Sequence, residues 1–333
     1  MIKAYAAYKR GGELKSFEYD PGELGEEEVE INVEYCGICR TDLNMLNNER
    51  GITQYPLVPG HEIIGTIAAM GNRVERLQLS QRVGLGWYSG SCMTCEWCRG
   101  GNHNFCRQAE QTIIGHYGGF ANKVRAHQTW VFPLPDKMDS VSAGPLFCAG
   151  ITVFNPIVQF DIKPTDRVGI IGIGGLGHLA LQFFHGWGCE VTAFSSNPNK
   201  KTDARELGAH HFIDSRDRAA IKAVENSFDL ILSTANADLD WSAYLTTLRP
   251  QGRLHFVGGV PNLISIPFSF LSGGQKSISA SPVGSPNTIA KMLDFAVEHQ
   301  IKPIVEVCKF DQVNEALEKL RSGKVRYRLV LSW

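Results

Sequence analysis

The strongest constraint on the fold is a glycine-rich turn between an apolar strand and an apolar helix. The stretch "DRVGIIGIGGLGHLALQFFHGWGCEVTAF" reads as a strand, a Gly-x-Gly-x-x-Gly turn, a helix and a second strand. In such a unit the first glycine makes the tight turn, the second lets the backbone approach a pyrophosphate, and the third lets helix pack on strand. A plain glycine-rich loop is the alternative, but it does not account for the flanking elements. The sequence therefore predicts a dinucleotide site at Gly172, Gly174, Gly175, Leu176 and Gly177.

The residues after the second strand indicate which dinucleotide binds. NAD-binding units place a carboxylate there, about 20 residues after the glycine turn, where it accepts hydrogen bonds from the ribose 2′-hydroxyl. Here that position holds Ser195. Ser196 adds a hydroxyl, and Lys200, with Lys201 as the weaker candidate, adds the positive charge that a 2′-phosphate requires. The same residues can also cap the next helix, and the two roles are compatible. We therefore expect NADP(H) as the cofactor.

Four of the nine cysteines lie in the short stretch "SCMTCEWCRGGNHNFC". The spacing C-x2-C-x2-C-x7-C brings four thiolates within reach of one tetrahedral ion. A reducing compartment disfavours disulfides, and free cysteines in a flexible loop, the remaining alternative, would be open to oxidation. We therefore predict a structural zinc, closed to substrate, in a lobe of residues 91–107, with the ligands Cys92, Cys95, Cys98 and Cys106.

An open metal site, with one position free for substrate, has to come from other residues. Cys39 lies in "CGICRTDLN", His61 in "PGHEIIG" and Cys148 in "PLFCAGITVF". Singly these are weak signals, because an apolar-flanked cysteine is more often a small core residue than a ligand. Together, one histidine and two cysteines form a known zinc ligand set with an open fourth position. The carboxylates of Asp42 and Glu62 either orient these ligands or are solvated surface groups.

Charge and hydropathy argue against other classes of protein. The chain has 33 basic and 34 acidic residues, a formal net charge of −1 and no block of either sign. That balance disfavours a zinc-finger or other nucleic-acid-binding module. The N-terminus lacks a signal-like apolar run, and no stretch reaches the roughly 18 apolar residues of a membrane span. We expect a soluble cytoplasmic protein without a membrane or nucleic-acid partner.

These motifs together resemble a known family. The stretches that carry the resemblance are "CGICRTDL", "PGHEIIG", the four-cysteine lobe, "PLFCAGITVF", "GIGGLGHLALQ", "FSSNPNKK" and "KVRYRLVL". Over nearly its whole length the chain resembles the zinc-containing alcohol dehydrogenases of the medium-chain dehydrogenase/reductase superfamily, closest to the cinnamyl-alcohol-dehydrogenase-like branch. The resemblance implies two zinc ions per chain, one structural and one catalytic, the latter near Glu62 with the ligands Cys39, His61 and Cys148. It also implies that Arg40 faces the cofactor pyrophosphate and that Thr152 lies by the nicotinamide.

Pattern and resemblance together predict an α/β architecture: a GroES-like β-barrel catalytic domain plus a Rossmann doubly wound parallel sheet. Residues 1–148 contain short β-type runs such as "VEINVEYCG", "HEIIGTIAAMG" and "NKVRAHQTWVF", separated by Gly and Pro. Residues 149–284 alternate between strand and helix patterns. Residues 285–333 return to the first domain through helices that we expect to be capped by Ser285 and Asp311. The active site is expected in the cleft between the domains.

The expected reaction is reduction of an aldehyde to a primary alcohol by NADPH. Zinc in an open site polarises the carbonyl oxygen, and the nicotinamide donates hydride. Thr41, two residues after Cys39, either supplies the hydroxyl for proton transfer or bonds the local backbone. The resemblance favours proton transfer. A binding protein that keeps zinc and NADPH but lacks turnover is the alternative function.

Three positions differ from the family pattern. Relatives continue the proton relay to a histidine three residues after this threonine, and here that position is Asn44, which cannot titrate. The segment "RQAEQTIIGHY", residues 107–117, is shorter than in plant relatives, and Pro282 replaces a pocket aromatic. We therefore expect an open pocket with a broad aliphatic and aromatic range. Because relatives commonly pair through the edge of the nucleotide-binding sheet, the stretch "VPNLISIPFSFL" predicts a homodimer, with a tetramer as the alternative.

Overall fold

The chain divides into two units. The computed structural model describes residues 1–333; one unit comprises Met1–Ile151 and Gly284–Trp333, and the other comprises Thr152–Val283. The strands are β1 Ile2–Ala6, β2 Lys15–Tyr19, β3 Glu28–Ile38, β4 Ile63–Met70, β5 Arg82–Leu85, β6 Tyr88–Gly90, β7 Glu110–Gln111, β8 Lys123–His127, β9 Val131–Pro133, β10 Arg167–Ile171, β11 Glu190–Ser195, β12 His211–Asp214, β13 Phe228–Ser233, β14 Leu248–Phe256, β15 Ser277–Ala280, β16 Val305–Lys309 and β17 Arg328–Ser332.

The helices are mostly short, and several are joined to turns of 3-10 helix. The α-helices are α1 Arg40–Leu46, α2 Glu96–Arg99, α3 Ser140–Ala143, α4 Ala149–Gln159, α5 Gly177–Trp187, α6 Lys201–Glu206, α7 Arg218–Lys222, α8 Trp241–Thr247, α9 Ser269–Ser272, α10 Pro286–Glu298 and α11 Val313–Arg321. The 3-10 turns are His103–Phe105, Gln128–Trp130, Gly144–Phe147, Pro198–Lys200 and Phe310–Gln312. No single helix is long and apolar enough to span a membrane. The segment Ser140–Phe147 and helix α4 reach the required length only together, and this pair is bent by 53°.

A seven-stranded sheet is the centre of the first unit. Its order is β16-β17-β3-β4-β5-β9, with β8 also paired to β3. The long strand β3 makes this possible, because its first half pairs with β8 and its last residues pair antiparallel with β17, Ile38 opposite Leu329. The run predicted over 122–132 is divided, since the 3-10 turn Gln128–Trp130 separates β8 from β9. Strand β3 therefore delivers its carboxyl end, and the residues after it, to the interior of the unit.

The second unit is a six-stranded parallel sheet. Its order is β12-β11-β10-β13-β14-β15, and all neighbours are parallel. The chain order reverses between β10 and β13, and in open α/β sheets ligands bind outside the carboxyl ends of the strands at this switch point. The core on one face includes Ile171, Phe194, Ile231, Trp241 and Leu254, all buried.

Helix caps at the return to the first unit follow the sequence signals only in part. Ser285 caps α10 as predicted, since its hydroxyl accepts the Thr288 N–H at 3.2 Å. The predicted cap at Asp311 is wrong, because α11 begins at Val313 and its N-cap is Gln312. The Gln312 side chain accepts the backbone N–H of Lys309 at 3.1 Å, and this closes a 3-10 turn ahead of the helix.

Candidate active site

The four cysteines of the lobe at 91–107 come together. Their sulfur atoms all lie within 4.8 Å of one another, and the Cys92 and Cys98 sulfurs are 3.9 Å apart. A tetrahedral zinc with Zn–S bonds of about 2.3 Å places its sulfurs about 3.8 Å apart. Helix α2 and the following 3-10 turn carry the chain from Cys98 to Cys106 so that the last ligand returns to the first two. The residues therefore fit one closed zinc site.

Backbone amides around this cluster are arranged for thiolates. The Cys95 N–H donates to the Cys92 sulfur and the Gln108 N–H donates to the Cys106 sulfur, both at 3.4 Å. Hydrogen bonds from the backbone of Thr94 and Cys95 lower the pKa of the Cys92 thiol to about 6. Burial raises the pKa of the Cys98 thiol to about 12, and a metal that binds this sulfur must displace its proton.

The second cluster contains Cys39, His61, Glu62 and Cys148, whose ligand atoms also lie within 4.8 Å of one another. The sulfurs of Cys39 and Cys148 are 3.8 Å apart. The hydrogen bond between these two thiols lowers the pKa of Cys39 and raises that of Cys148. All four residues belong to the first unit. The structure thus brings together side chains from three separate stretches of sequence.

Local structure orients these side chains. Cys39 is the N-cap of α1, and Asp42 in the first turn accepts its N–H at 2.8 Å. The other oxygen of Asp42 accepts the Gly60 N–H at 2.9 Å and lies 3.1 Å from Nδ1 of His61. Burial lowers the pKa of His61, but the Asp42 carboxylate and the Cys39 sulfur together outweigh this effect and raise the pKa overall. Asp42 therefore fixes the ring so that Nε2 faces the two sulfurs.

The Glu62 side chain fills the space beside Gly37, which has no Cβ atom. A Cβ atom on Gly37 would lie 2.1 Å from a Glu62 carboxylate oxygen, so no other residue fits there without displacing Glu62. Arg328 on β17 forms a buried ion pair with the other Glu62 oxygen. Burial raises the pKa of Glu62, and Arg328 opposes that rise. The sequence pattern predicted no role for Arg328, which lies in the stretch "KVRYRLVL". The available signal was an arginine inside an apolar strand.

Two buried atoms in this cluster have no partner in the protein. They are Nε2 of His61 and Oε2 of Glu62. Buried polar atoms are nearly always satisfied, so an unpartnered lone pair beside two thiols is what a metal ligand looks like without its metal. The donor set of one nitrogen and two sulfurs fits zinc, and Glu62 is close enough to approach it.

Trp87 lines this cluster and was missed by sequence reasoning. Its ring meets the His61 ring edge-on, with 5.2 Å between the ring centres. The residue follows β5 in a glycine-rich stretch, where nothing in the local sequence distinguishes it from a core aromatic. Its half-buried ring supplies an apolar wall beside the metal ligands.

Thr41 and Asn44 lie on α1, next to Cys39. Thr41 is half-buried, and its hydroxyl has no hydrogen-bond partner within the chain, so no local capping bond occupies it. With its amide turned so that the nitrogen faces these acceptors, Asn44 donates to the Arg40 carbonyl and to the Glu49 carboxylate, both at 3.1 Å. Arg40 is exposed on the first turn of α1, and Thr152 is buried on α4. The cofactor contacts predicted for Arg40 and Thr152 remain predictions.

The glycine-rich turn follows β10 at the switch point of the parallel sheet. Gly172 has φ +86°, a conformation that favours glycine. A Cβ on Gly177 would lie 1.9 Å from the Gly172 carbonyl oxygen, whereas a Cβ on Gly174 would meet nothing within 4 Å. The first and third glycines are therefore required by packing, and the second leaves open space above the N-terminus of α5.

Ser195 is the last residue of β11, as predicted, but its hydroxyl is engaged locally. It accepts the Asn197 N–H at 3.2 Å and lies beside the Asn197 carbonyl. Ser196 is exposed. Lys200 donates to the Ile173 carbonyl of the glycine turn at 2.5 Å, whereas Lys201 lines a separate cavity of about 430 Å³ with Arg205 and His211. No carboxylate occupies the strand end, and the nearest lysine points toward the turn.

Comparison with known proteins agrees with this geometry. Residues 25–136 match the alcohol dehydrogenase GroES-like domain, and residues 175–298 match the zinc-binding dehydrogenase family. The aldehyde reductase AdhA of Synechocystis sp. is 59% identical over 332 residues, which is 100% of this chain and 99% of that protein.

Solved structures of cinnamyl alcohol dehydrogenases superimpose along nearly the whole chain. The enzyme from Sorghum bicolor has a TM-score of 0.95 and 35% identity, over 99% of this chain and 97% of that one. The enzyme from Helicobacter pylori, solved with NADP(H), has a TM-score of 0.90 and 28% identity, over the same shares. The predicted α/β fold, a GroES-like domain with a Rossmann sheet, is confirmed. The chain belongs to the zinc alcohol dehydrogenases of the medium-chain dehydrogenase/reductase superfamily, in the branch that resembles cinnamyl alcohol dehydrogenases.

Proposed function

We propose that this protein is an NADPH-dependent aldehyde reductase that also runs in reverse as a primary alcohol dehydrogenase. The observation that carries the proposal is the buried cluster of two sulfurs and an unpartnered histidine nitrogen, in which the fourth side chain, Glu62, is already paired with Arg328. A site of this kind leaves a coordination position for a substrate oxygen. The fully cysteine-bound site has no such position, so we assign it a structural role.

Each residue of the open site has a proposed task. Cys39, His61 and Cys148 hold the metal, Asp42 orients His61, and Glu62 with Arg328 sets the charge behind the site; the Asp42–His61 and Glu62–Arg328 contacts support this division. A bound zinc supplies a Lewis acid for the aldehyde oxygen, and reduced nicotinamide supplies the hydride. The free hydroxyl of Thr41 passes a proton to the product oxygen. Asn44 cannot titrate, so water completes the path to solvent.

The Rossmann unit holds the cofactor. We assign residues 149–284 this role, with the pyrophosphate on the turn at Gly172, Gly174, Gly175, Leu176 and Gly177, and with Arg40 and Thr152 as further contacts. Ser195 leaves no carboxylate to repel a 2′-phosphate, while Ser196 and Lys200 are near enough along the chain to bind it. Lys200 must then release the Ile173 carbonyl. These features support NADP(H) over NAD(H).

The substrate range is proposed to be broad. Pro282 is exposed and the segment 107–117 is short, which supports an open pocket for aliphatic and aromatic aldehydes. Trp87 provides one apolar wall. We further propose that the enzyme is cytoplasmic, since all nine cysteines are free thiols and a reducing compartment keeps them in that state. We also propose that it is a homodimer.

The test is a panel of aldehydes assayed with NADPH and with NADH on protein that contains two zinc ions per chain. Each charge-assisted hydrogen bond to a phosphate is worth roughly 1.5–3 kcal/mol, so NADPH should be preferred by on the order of a hundredfold or more in kcat/KM. Ser195→Asp should erode or reverse that preference, and Ser16→Asp, an exposed serine in the other unit, is the matched control.

One observation favours a second candidate, a protein that binds zinc and NADPH without turnover. It is Asn44, whose amide is tied to Glu49 where relatives of this branch carry a relay histidine. No aldehyde reduction by the two-zinc protein, with NADPH binding intact, would select this candidate. Equal use of NADH and NADPH would instead contradict the cofactor assignment.

A further inference from the structure

The glycine-rich turn carries backbone donors with no acceptor in the protein. The N–H groups of Ile173, Gly174, Gly175 and Leu176 make no backbone or side-chain hydrogen bond. Backbone N–H groups are rarely left without a partner. A helix N-terminus leaves such donors without an intrahelical acceptor, and an anionic ligand at this turn can accept hydrogen bonds from them.

How these donors point depends on the peptide between Gly172 and Ile173. That peptide is trans, so its carbonyl and its N–H point in opposite directions. Gly172 has φ +86°, and glycine moves between backbone conformations more freely than any other residue. Something must therefore hold the carbonyl, because a rotation of this one peptide would turn the Ile173 N–H away from the ligand.

Thr234 holds it. This residue follows β13, directly across the switch point, and its hydroxyl lies 2.6 Å from the Gly172 carbonyl oxygen and 3.0 Å from the Ile171 carbonyl oxygen. The Ile171 oxygen already accepts the Thr234 N–H at 2.9 Å. A hydroxyl has one proton to donate, and the shorter contact takes it. The hydroxyl also packs on the turn, since a Cβ on Gly177 would lie 3.1 Å from it.

We propose that Thr234 is a positioning residue for the cofactor: its hydroxyl fixes the Gly172–Ile173 peptide so that the Ile173 N–H faces the dinucleotide pyrophosphate. The proposal rests on the proposed function, because it requires that a dinucleotide binds at this turn. The Thr234 hydroxyl hydrogen-bonds to the backbone of the turn itself. It acts through the backbone, and its loss should weaken binding of the cofactor without changing the chemical step.

The experiment compares Thr234→Val with Thr234→Ser and the wild type. Valine keeps the shape of the side chain and removes the donor, whereas serine keeps the donor. The control is Thr247→Val, because Thr247 is a buried threonine of the same unit whose hydroxyl donates to the Tyr244 carbonyl at 2.7 Å, away from the turn. Thr234→Ala is measured alongside in case the branched valine cannot be accommodated.

The readouts are the Kd of NADPH by titration calorimetry, then KM for NADPH, kcat, and KM for the aldehyde. One hydrogen bond is worth about 0.5–1.5 kcal/mol, so Thr234→Val and Thr234→Ala should raise the Kd about three- to tenfold. Thr234→Ser should stay within about twofold of the wild type, as should kcat and the aldehyde KM of all variants. A purely structural role would not be rescued by serine and would affect both substrates.

The outcomes separate the two proposals. Wild-type protein that binds neither NADPH nor NADH would overturn the proposed function, and the positioning role with it. Wild-type protein that binds NADPH while Thr234→Val and Thr234→Ala bind it equally well would overturn the positioning role alone. The same loss of NADPH affinity in Thr247→Val would also overturn it, because the effect would then belong to the whole unit and not to the turn.

Discussion

At the scale of single residues, the two cysteine-containing clusters differ in what surrounds the sulfur atoms. Around the lobe, the donors are backbone amides near Cys92 and Cys106, which suit four thiolates and no other ligand. Around Cys39 and Cys148, the neighbours are the side chains of His61, Glu62 and Arg328. A charged side chain near the second cluster can be replaced while its neighbours keep their contacts, whereas a site of four thiolates needs all four to hold its ion. The two sites should therefore respond differently to loss of one cysteine.

We predict that Cys148→Ser abolishes aldehyde reduction while the protein stays folded. The variant should bind one zinc per chain instead of two, with a thermal midpoint close to that of the wild type. Cys98→Ser should instead lower the thermal midpoint, because the lobe loses the ion that closes it around the buried Cys98 and Cys106. Zinc content, melting temperature and activity per folded molecule are the measurements. Equal destabilisation by both, with activity preserved in Cys148→Ser, contradicts the assignment.

The ion pair of Glu62 and Arg328 gives a second prediction at this scale. Both side chains are almost completely buried, at 0% and 5% exposed. Removing one partner of such a pair leaves the other charge without compensation, at a cost of about 3–5 kcal/mol. Arg328→Met should therefore lower the free energy of unfolding by about that amount, measured by urea denaturation.

The double variant Glu62→Gln, Arg328→Met is the control for this prediction. It removes both charges, so it should be clearly more stable than Arg328→Met alone. If the double variant is less stable by the sum of the two single effects, the residues act independently and the pairing does not matter to stability.

Local sequence predicted the candidate metal ligands and pointed to Asp42 and Glu62 beside them, but not to Arg328 or Thr234. Cys39, His61 and Cys148 each sit in a short stretch whose pattern can be read on its own. Arg328 reaches Glu62 across 266 positions of sequence, and Thr234 reaches the glycine turn across 62. Contacts of this kind depend on the order of the strands in the sheet, and the spacing of apolar residues does not predict that order. They are found only in the folded structure.

At the scale of elements, patterns with a strict period were the most informative. The strand, turn and helix around the glycines appear as β10, the turn and α5, because apolar spacing and glycine position agree there. The cap at Asp311 was predicted wrongly, because an acidic residue before an apolar run signals a helix start without saying whether a 3-10 turn comes first. Here the Gln312 side chain forms the 3-10 turn, because it accepts the backbone N–H of Lys309.

Two neighbouring strands of the parallel sheet share a buried histidine, and its titration can be predicted. His255 on β14 lies between the hydroxyls of Ser279 and Ser281, at 2.8 and 2.9 Å. Burial, with a smaller effect from the nearby Arg253 guanidinium, lowers its pKa from 6.5 to about 4. The ring of Phe160, directly after the end of α4, packs against the His255 ring and carries no charge. In the folded protein this histidine is neutral at physiological pH.

The sign of the pH dependence follows from the lowered pKa. Between pH 6.5 and 4 the unfolded chain binds the proton more strongly than the folded chain, so stability falls as the pH falls. For this group the loss between pH 7 and pH 5 is about 2 kcal/mol. His255→Asn should reduce the wild-type change in unfolding free energy over that range by this amount, measured by urea denaturation at both pH values. An identical profile in the variant would show that His255 does not titrate during unfolding.

At the scale of the whole molecule, function is divided between the units. The two groups that fit zinc both lie in Met1–Ile151, and the dinucleotide turn lies in Thr152–Val283. Under the proposed function each unit has a ligand that stabilises it, since a ligand that binds only the folded form raises its stability. Removal of zinc should act mainly on the first unit and addition of NADPH mainly on the second. The second unit also has an edge strand, β15, that no strand of this chain covers.

That edge is where we predict a second copy of the chain. The connection between β14 and β15 exposes Leu263 and Phe268, at 98% and 80% of their surfaces, although its neighbour Phe270 packs into the core. An uncovered edge strand beside large exposed apolar side chains is a liability in a monomer and a normal feature of a two-fold interface. Sedimentation equilibrium should therefore give about twice the chain mass of 36.8 kDa.

The double variant Leu263→Glu, Phe268→Glu should shift the protein to monomers. Each large apolar anchor in such an interface is worth about 2 kcal/mol, so the dissociation constant should rise by at least about a hundredfold. Leu79→Glu is the matched control, because Leu79 is 60% exposed and lies in the other unit. A new charge at Leu79 also makes the surface more polar, but it lies outside the unit that contains the edge strand β15, so the dimer should persist. If both variants stay dimeric, the two copies meet on another surface, and the exposed segment between β14 and β15 needs a different partner.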